Sequence, residues 1–152
     1  TFKIHLKVLL QKIVESPEQE KAQKKGWTVL LVEDDPTLQK MFIRYFEKLN
    51  HKVTVTPDGT TAFNLFKRNK FDIVFMDVEI GLQSGIETTK NIRQYEKDFN
   101  KKRTSIIGLS GFEKYEVSSM NAGMDSFILK TGYNLKHFLE VATELISTPV
   151  GL

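Results

Sequence analysis

The sequence predicts an α/β fold, a five-stranded parallel sheet covered by helices on both faces and preceded by a helical extension. Three observations carry this. From Trp27 onward, short apolar runs alternate with segments whose apolar residues recur every three or four positions. The runs at Val29–Val32 and Ile73–Met76 are continuous rather than alternating, as strands buried on both faces require. No hairpin-type turn joins one run to the next, so the connections are crossovers and the strands run parallel.

Each element follows in order. In the extension, taken as residues 1–25, Phe2, Leu6, Leu9, Leu10 and Ile13 form one apolar helical stripe. Ser16-Pro17-Glu18-Gln19 then reads as a fresh helix start, with Ser16 as N-cap and Gln19 closing a capping box. A helix of this length is marginal alone in water, so its stripe is expected to pack on another surface, by preference a second copy in a symmetric dimer. Val29 to Val32 is the first strand. Asp35-Pro36 caps a helix whose apolar face is Leu38, Met41, Phe42, Tyr45, Phe46 and Leu49. Lys52 to Thr56 is a strand, Pro57-Asp58-Gly59 a turn, and Ala62, Leu65 and Phe66 the inner face of the next helix. Strands at Ile73–Met76, Ser105–Leu109 and Ser126–Leu129 follow, with helices from Ile86 to Tyr95, Glu113 to Ala122, and over Leu135 to Ile146. The αβ body therefore spans 26–147, with 148–152 a tail.

The chain has 152 residues, enough for one core and short for two. Its charge is +3, but the basic residues fall in separate short groups (Lys67-Arg68, Lys101-Lys102-Arg103) with acids between them. No recognition-helix or zinc-finger pattern accompanies them, so solvated faces are expected and nucleic-acid binding is not. No apolar run has the length of a membrane span and no signal segment opens the chain, which predicts a cytoplasmic protein without membrane contact. Cysteine is absent, excluding disulfides and thiolate metal sites. The chain opens at Thr1 rather than Met, as expected of a piece of a longer protein. His5, His51 and His137 are scattered and read as surface residues.

In such a sheet, ligands bind beyond the carboxyl ends of the strands. Glu33, Asp34 and Asp35 follow the first strand, Asp77 the third, Ser110 the fourth and Lys130 the fifth. Carboxylates gathered at one rim repel one another and call for a cation. With no Cys and no clustered His, the donors are oxygens, which suits Mg2+. An ammonium, a hard cation and a nucleophilic carboxylate together outline a phosphoryl-transfer site.

At these residues the chain from about Gly26 to Ile146 resembles a two-component response-regulator receiver domain, a flavodoxin-like doubly wound fold. The matching segments are Val29 to Pro36, Asp77 to Gly85, Ile106 to Gly111, Ala122 to Asp125, and Lys130. The resemblance implies that Asp77 accepts a phosphoryl group from a phosphohistidine on a histidine kinase or histidine phosphotransfer protein. It implies Mg2+ held by Asp34, Asp77 and the Glu79 backbone carbonyl, with Glu33 acting through water. Ser110 and Lys130 would contact the phosphoryl oxygens, and Phe127 takes the place of the aromatic switch residue. The surface of the fourth helix, fifth strand and fifth helix is the one expected to change. With no output module expected after Ile146, the chain reads as a stand-alone receiver or, by preference given the helical extension, the receiver of a hybrid histidine kinase.

Two departures from the family pattern carry expectations. Ile80-Gly81 replaces Met-Pro after the acceptor, which frees the backbone at Gly81. Thr131 replaces the proline that usually follows the lysine in a cis bond. A non-proline cis bond costs about 2.5–4 kcal/mol, so a trans Lys130–Thr131 bond is expected, with Gly132 absorbing the unusual dihedrals. The competing reading is an aspartate-nucleophile phosphatase, with Glu79 as general acid. Asp77 stands on the third strand rather than the first and no cap domain is present, so a signalling module is favoured over an enzyme. A pseudo-receiver that binds without phosphorylation is disfavoured by the intact acidic set.

Overall fold

The computed structural model describes residues 25–81, 83–132 and 134–148. The elements are β1 (Thr28–Val32), α1 (Pro36–Lys48), β2 (Lys52–Thr56), α2 (Gly59–Arg68), β3 (Ile73–Asp77), α3 (Gly85–Asp98), β4 (Ser105–Ser110), a 3-10 turn (Glu113–Tyr115), α4 (Glu116–Ala122), β5 (Ser126–Leu129) and α5 (Leu135–Ser147). The strands form one parallel sheet in the order β2-β1-β3-β4-β5. This is the flavodoxin-like arrangement that the sequence led us to expect. The helical extension expected over 1–25 lies, except for Lys25, outside the described residues, as does most of the tail.

Strand alternation builds two cores. Ile73 and Phe75 point to the side covered by α1 and α5, where Phe42, Phe46, Phe138 and Ala142 pack. Val74 and Met76 point to the other side, against Ala62 and Phe66 of α2 and Ile92 of α3. Every residue of β3 is buried, which explains its unbroken apolar run. Asp35 caps α1 by accepting from Thr37 N at 2.9 Å, with Pro36 in the first turn. Asp58 caps α2 and Ser84 caps α3 in the same manner. The amphipathic face of α1 is narrower than its apolar residues suggest, because Met41 and Leu49 sit on the exposed flank.

Two expectations are corrected. The segment from Glu113 to Ala122 is not one helix, because a 3-10 turn precedes a single short α-helix. Neither Phe112 nor Tyr115 supplies a side-chain cap, so nothing nucleates a full helix at Glu113. His51 is not a surface residue. It is half-buried, stacks on Trp27 with ring centroids 4.2 Å apart, and accepts from Trp27 N through Nδ1 at 2.9 Å. Its burial pushes the imidazole pKa below the ordinary value, against the pull of Asp72.

No cis peptide bond occurs among the described residues, so the Lys130–Thr131 bond is trans, and Gly132 takes φ +69° as expected. Gly81, at φ +47°, uses the left-handed freedom that only glycine supplies without strain.

Candidate functional site: an acidic rim at the carboxyl end of the sheet

Adjacent strands β1 and β3 end side by side, with Val32 in register with Met76. The chain leaves β1 toward β2 on one side, while β3, β4 and β5 lie on the other, so a crevice opens where the strand order reverses. Glu33 and Asp34 enter it from β1, and Asp77 from β3. Ser110 ends β4, and Lys130 follows β5, its backbone N–H donating to Ser110 O at 2.8 Å.

Lys130 joins these ends. Its Nζ donates to Glu33 Oε2 and to Asp77 Oδ2, each at 3.1 Å. Glu33 is fully buried and Asp77 nearly so, while Asp34 is exposed. Oxygens of the three carboxylates lie within 4.8 Å of one another. Glu33 is anchored on every side. Its N–H donates to Thr56 O at 3.0 Å, its Oε1 accepts from Asp35 N at 3.1 Å, and its carbonyl accepts from Gln39 Nε2 at 2.5 Å. Asp77 Oδ1 accepts from Glu79 N at 3.0 Å.

The loop after Asp77 is pinned rather than loose at its start. Val78 N donates to Leu109 O at 2.9 Å, and Val78 and Ile80 are buried. At Gly85 the first turn of α3 packs on the Asp77 backbone so closely that a Cβ would collide with the Asp77 carbonyl. The position of the carboxylate therefore depends on a glycine eight residues away in the sequence.

The electrostatics are those of a site short of positive charge. Burial, then the negative charge of Asp77, pushes the Glu33 carboxyl up to about 7, although the Asp35 N–H and Lys130 draw it down. Burial alone would lower the Lys130 pKa. Attraction to Asp77 and Glu33, and the hydrogen bonds to both, outweigh that and hold it above the usual lysine value. One ammonium thus serves three carboxylates. The donor set is all oxygen and net negative, which fits a hard divalent cation such as Mg2+.

Of the other expected residues, Ser110 is buried and its Oγ accepts from Phe112 N at 3.0 Å. Phe127 lies in β5 in register with Gly108, half-buried against the α2–α3 core. A Cβ on Gly108 would meet the Phe127 ring at 3.3 Å and the Met124 sulfur even closer, so glycine makes room for both. The Glu79 side chain is exposed.

Sequence reasoning missed a second charged cluster at the opposite end of the sheet. Arg93 of α3 donates to Glu96 Oε1 at 2.6 Å, Asp125 Oδ2 at 2.9 Å, and the carbonyls of Thr104 and Gly123 at 2.8 Å each. Arg103 donates to Asp125 Oδ1 at 2.8 Å, and Asp125 Oδ2 also accepts from Ile106 N at 2.9 Å. The signal available was slight, an Arg93/Glu96 pair at helical spacing and an acid, Asp125, directly before an apolar run.

The family model for the response regulator receiver domain matches residues 29–141. The hybrid signal transduction histidine kinase A of Dictyostelium discoideum is 34% identical over 104 residues, covering 66% of this chain and 5% of that protein. The receiver domain of the histidine kinase CKI1 from Arabidopsis thaliana, solved with Mg2+, is 28% identical with a TM-score of 0.69, over 80% of this chain and 92% of that one. The receiver domain of Ssk1 from Saccharomyces cerevisiae, solved with the histidine phosphotransfer protein Ypd1, is 25% identical with a TM-score of 0.73, over 79% of this chain and 88% of that one.

Proposed function

The chain belongs to the response regulator receiver domain family, and we propose that its own reaction is transfer of a phosphoryl group from a phosphohistidine to Asp77. An Asp77 carboxylate oxygen attacks phosphorus, the Asp77 O–P bond forms, and the N–P bond to the donor histidine breaks. The observation that carries this reading is the Lys130 ammonium, placed 3.1 Å from both Glu33 and Asp77 at an otherwise acidic rim.

The residues divide the work. Asp34, Asp77 and the Glu79 carbonyl would hold the metal, with Glu33 acting through water. Mg2+, when bound, neutralises the carboxylates and the charge on the transferred group. Lys130 orients one Asp77 oxygen and turns to the phosphoryl oxygens once they arrive. The Ser110 hydroxyl donates to another of those oxygens. Asp35 N and Gln39 hold Glu33 in place, so the rim does not rearrange when charge enters.

Movement of Ser110 toward the phosphoryl group would pull on β4 and the loop after it. Phe127, packed against Gly108 of β4, is placed to repack in response. The surface that changes is that of α4, β5 and α5, where Val117 and Met120 are already exposed. The donor is a histidine kinase or a histidine phosphotransfer protein, a reading supported by the Ssk1 receiver's complex with Ypd1. The body spans 26–147 as the receiver of a hybrid histidine kinase, a reading supported by the likeness to such a kinase.

Intact mass after incubation with acetyl phosphate and Mg2+ tests the reaction. One hydroxylamine-labile phosphoryl group on the wild type and none on Asp77→Asn is expected. Label retained in Asp77→Asn, or a stable phosphate on Ser110, overturns the assignment.

A further inference from the structure

The end of the sheet opposite the acidic rim holds a cleft of about 640 Å³ that phosphoryl transfer does not use. Phe71, Tyr95, Leu145 and Ile146 give it apolar walls. Its two lips are basic. The last turn of α2 and the connection to β3 contribute Lys67, Arg68 and Lys70, and the α3–β4 connection contributes Lys101, Lys102 and Arg103, all exposed. Among the described residues Asp72 is the one acid in the lining, and its carboxylate accepts from Thr28 N at 2.7 Å.

Two of these cations have local work. Arg103 pairs with Asp125, and Lys67 lies over the Phe63 ring at 4.6 Å. Arg68, Lys70, Lys101 and Lys102 form no ion pair among the described residues. Like charges gathered on facing lips repel one another, and among the described residues no carboxylate offsets these four.

We propose that this cleft binds an acidic segment of a partner protein, with carboxylates against the two lips and apolar side chains in the trough between them. The volume falls in the range of about 300–1,000 Å³ typical of ligand pockets, which holds a few side chains rather than a domain. Nucleic acid would need open ring faces on which bases stack. Here Phe66 and Phe71 are each only 8% exposed and Tyr95 is half-buried, so the trough offers little open ring face and is completed by Leu145 and Ile146. A lipid surface would need apolar residues projecting beyond the cations, whereas these are recessed between them. A partner seated there leaves the acidic rim open, so it can stay bound whether or not Asp77 is modified.

The test uses the full chain and a fluorescein-labelled short peptide alternating glutamate with leucine, read by fluorescence anisotropy. Saturable binding that weakens with rising salt is expected. It should fall by at least about tenfold in Lys70→Glu/Lys101→Glu/Lys102→Glu, since rim charges on one surface act together. A smaller loss is expected in the triple glutamine variant, and none in Lys40→Glu/Lys90→Glu, which reverses exposed charges on other faces. Replacing the peptide leucines by serine should also cost about tenfold or more, the worth of a few buried apolar groups. Circular dichroism checks that each variant is folded. Absence of saturable binding, an equal loss in the control variant, or equal affinity for the serine peptide overturns the proposal. Displacement of the probe at lower concentration by a charge-matched single-stranded oligonucleotide or by phosphatidylserine vesicles overturns it in favour of that class.

Discussion

At the amino ends of β4 and β5, two acids meet two arginines. Arg93 and Arg103 answer Glu96 and Asp125, and Thr104 and Ile106 add backbone N–H donors to the carboxylates. At the carboxyl ends of β1 and β3, three acids meet one lysine. The first cluster is closed, with its charges balanced and both carboxylates bonded by arginine and backbone N–H groups, and it clamps α3 to the start of β4 and β5. The second is left short of positive charge while its backbone is held firmly in place. A balanced cluster stabilises what is already there, whereas a rigid unbalanced one suits the cation and the phosphoryl group of the proposed reaction.

That contrast can be broken by exchanging which property a substitution damages. Arg93→Ala should have the largest effect. It takes the arginine from Glu96, which keeps the Thr104 N–H, and one of two arginines from Asp125, so the cost falls near the lower end of the about 3–5 kcal/mol for breaking a buried ion pair. The urea midpoint should drop accordingly, while the folded fraction still takes phosphate on Asp77 at low temperature. Lys130→Ala should do the reverse. The fold persists, because Glu33 already holds a proton readily, while the rate of phosphorylation by acetyl phosphate falls by about a hundredfold, as when one preorganised donor is lost. If instead Lys130→Ala unfolds the protein and Arg93→Ala slows the chemistry, the roles of the two clusters are exchanged.

Gly85→Ala sharpens the comparison from within the rim. The added Cβ meets the Asp77 carbonyl, and forced overpacking costs about 1–3 kcal/mol. Because the strain falls on the acceptor's own backbone, phosphorylation should slow as well, unlike in Arg93→Ala. Parallel urea titrations and mass-spectrometric time courses separate the two effects.

The smallest effect concerns pH. The neutral His51 imidazole accepts from Trp27 N, and its folded pKa is lowered. Its stabilisation is therefore fully present above the ordinary histidine value and is lost as pH falls from there through the depressed folded value. In His51→Gln, that part of the acid-side loss in urea midpoint should be absent. An identical pH dependence in both proteins would show that His51 is not buried in its neutral form.

Much of the site was legible because its chemistry sits at strand ends. A continuous apolar run marks a strand, and the residue after it must lie at the rim, so Glu33, Asp34, Asp77, Ser110 and Lys130 were placed by position alone. The trans bond at Thr131 and the left-handed Gly132 were legible too, because local backbone energetics decide them. The helix start after Gly111 was misjudged, since apolar spacing says nothing about whether a cap is available at Phe112.

By itself, then, the sequence determined the alternation of elements, the two-sided burial of the strands and the acids at their ends, all of which follow from local pattern. The tertiary structure alone decided which of those ends meet. Parallel crossovers bring Lys130 to Glu33 across 97 positions and Arg93 to Asp125 across 32. The same crossovers gather the basic groups of two separate connections around one cleft, although in the chain they look dispersed among acids. The reason is physical. Periodicity reports which way a side chain faces within its own element, whereas the partner it meets depends on strand order, and strand order is set by how the helices pack on the sheet.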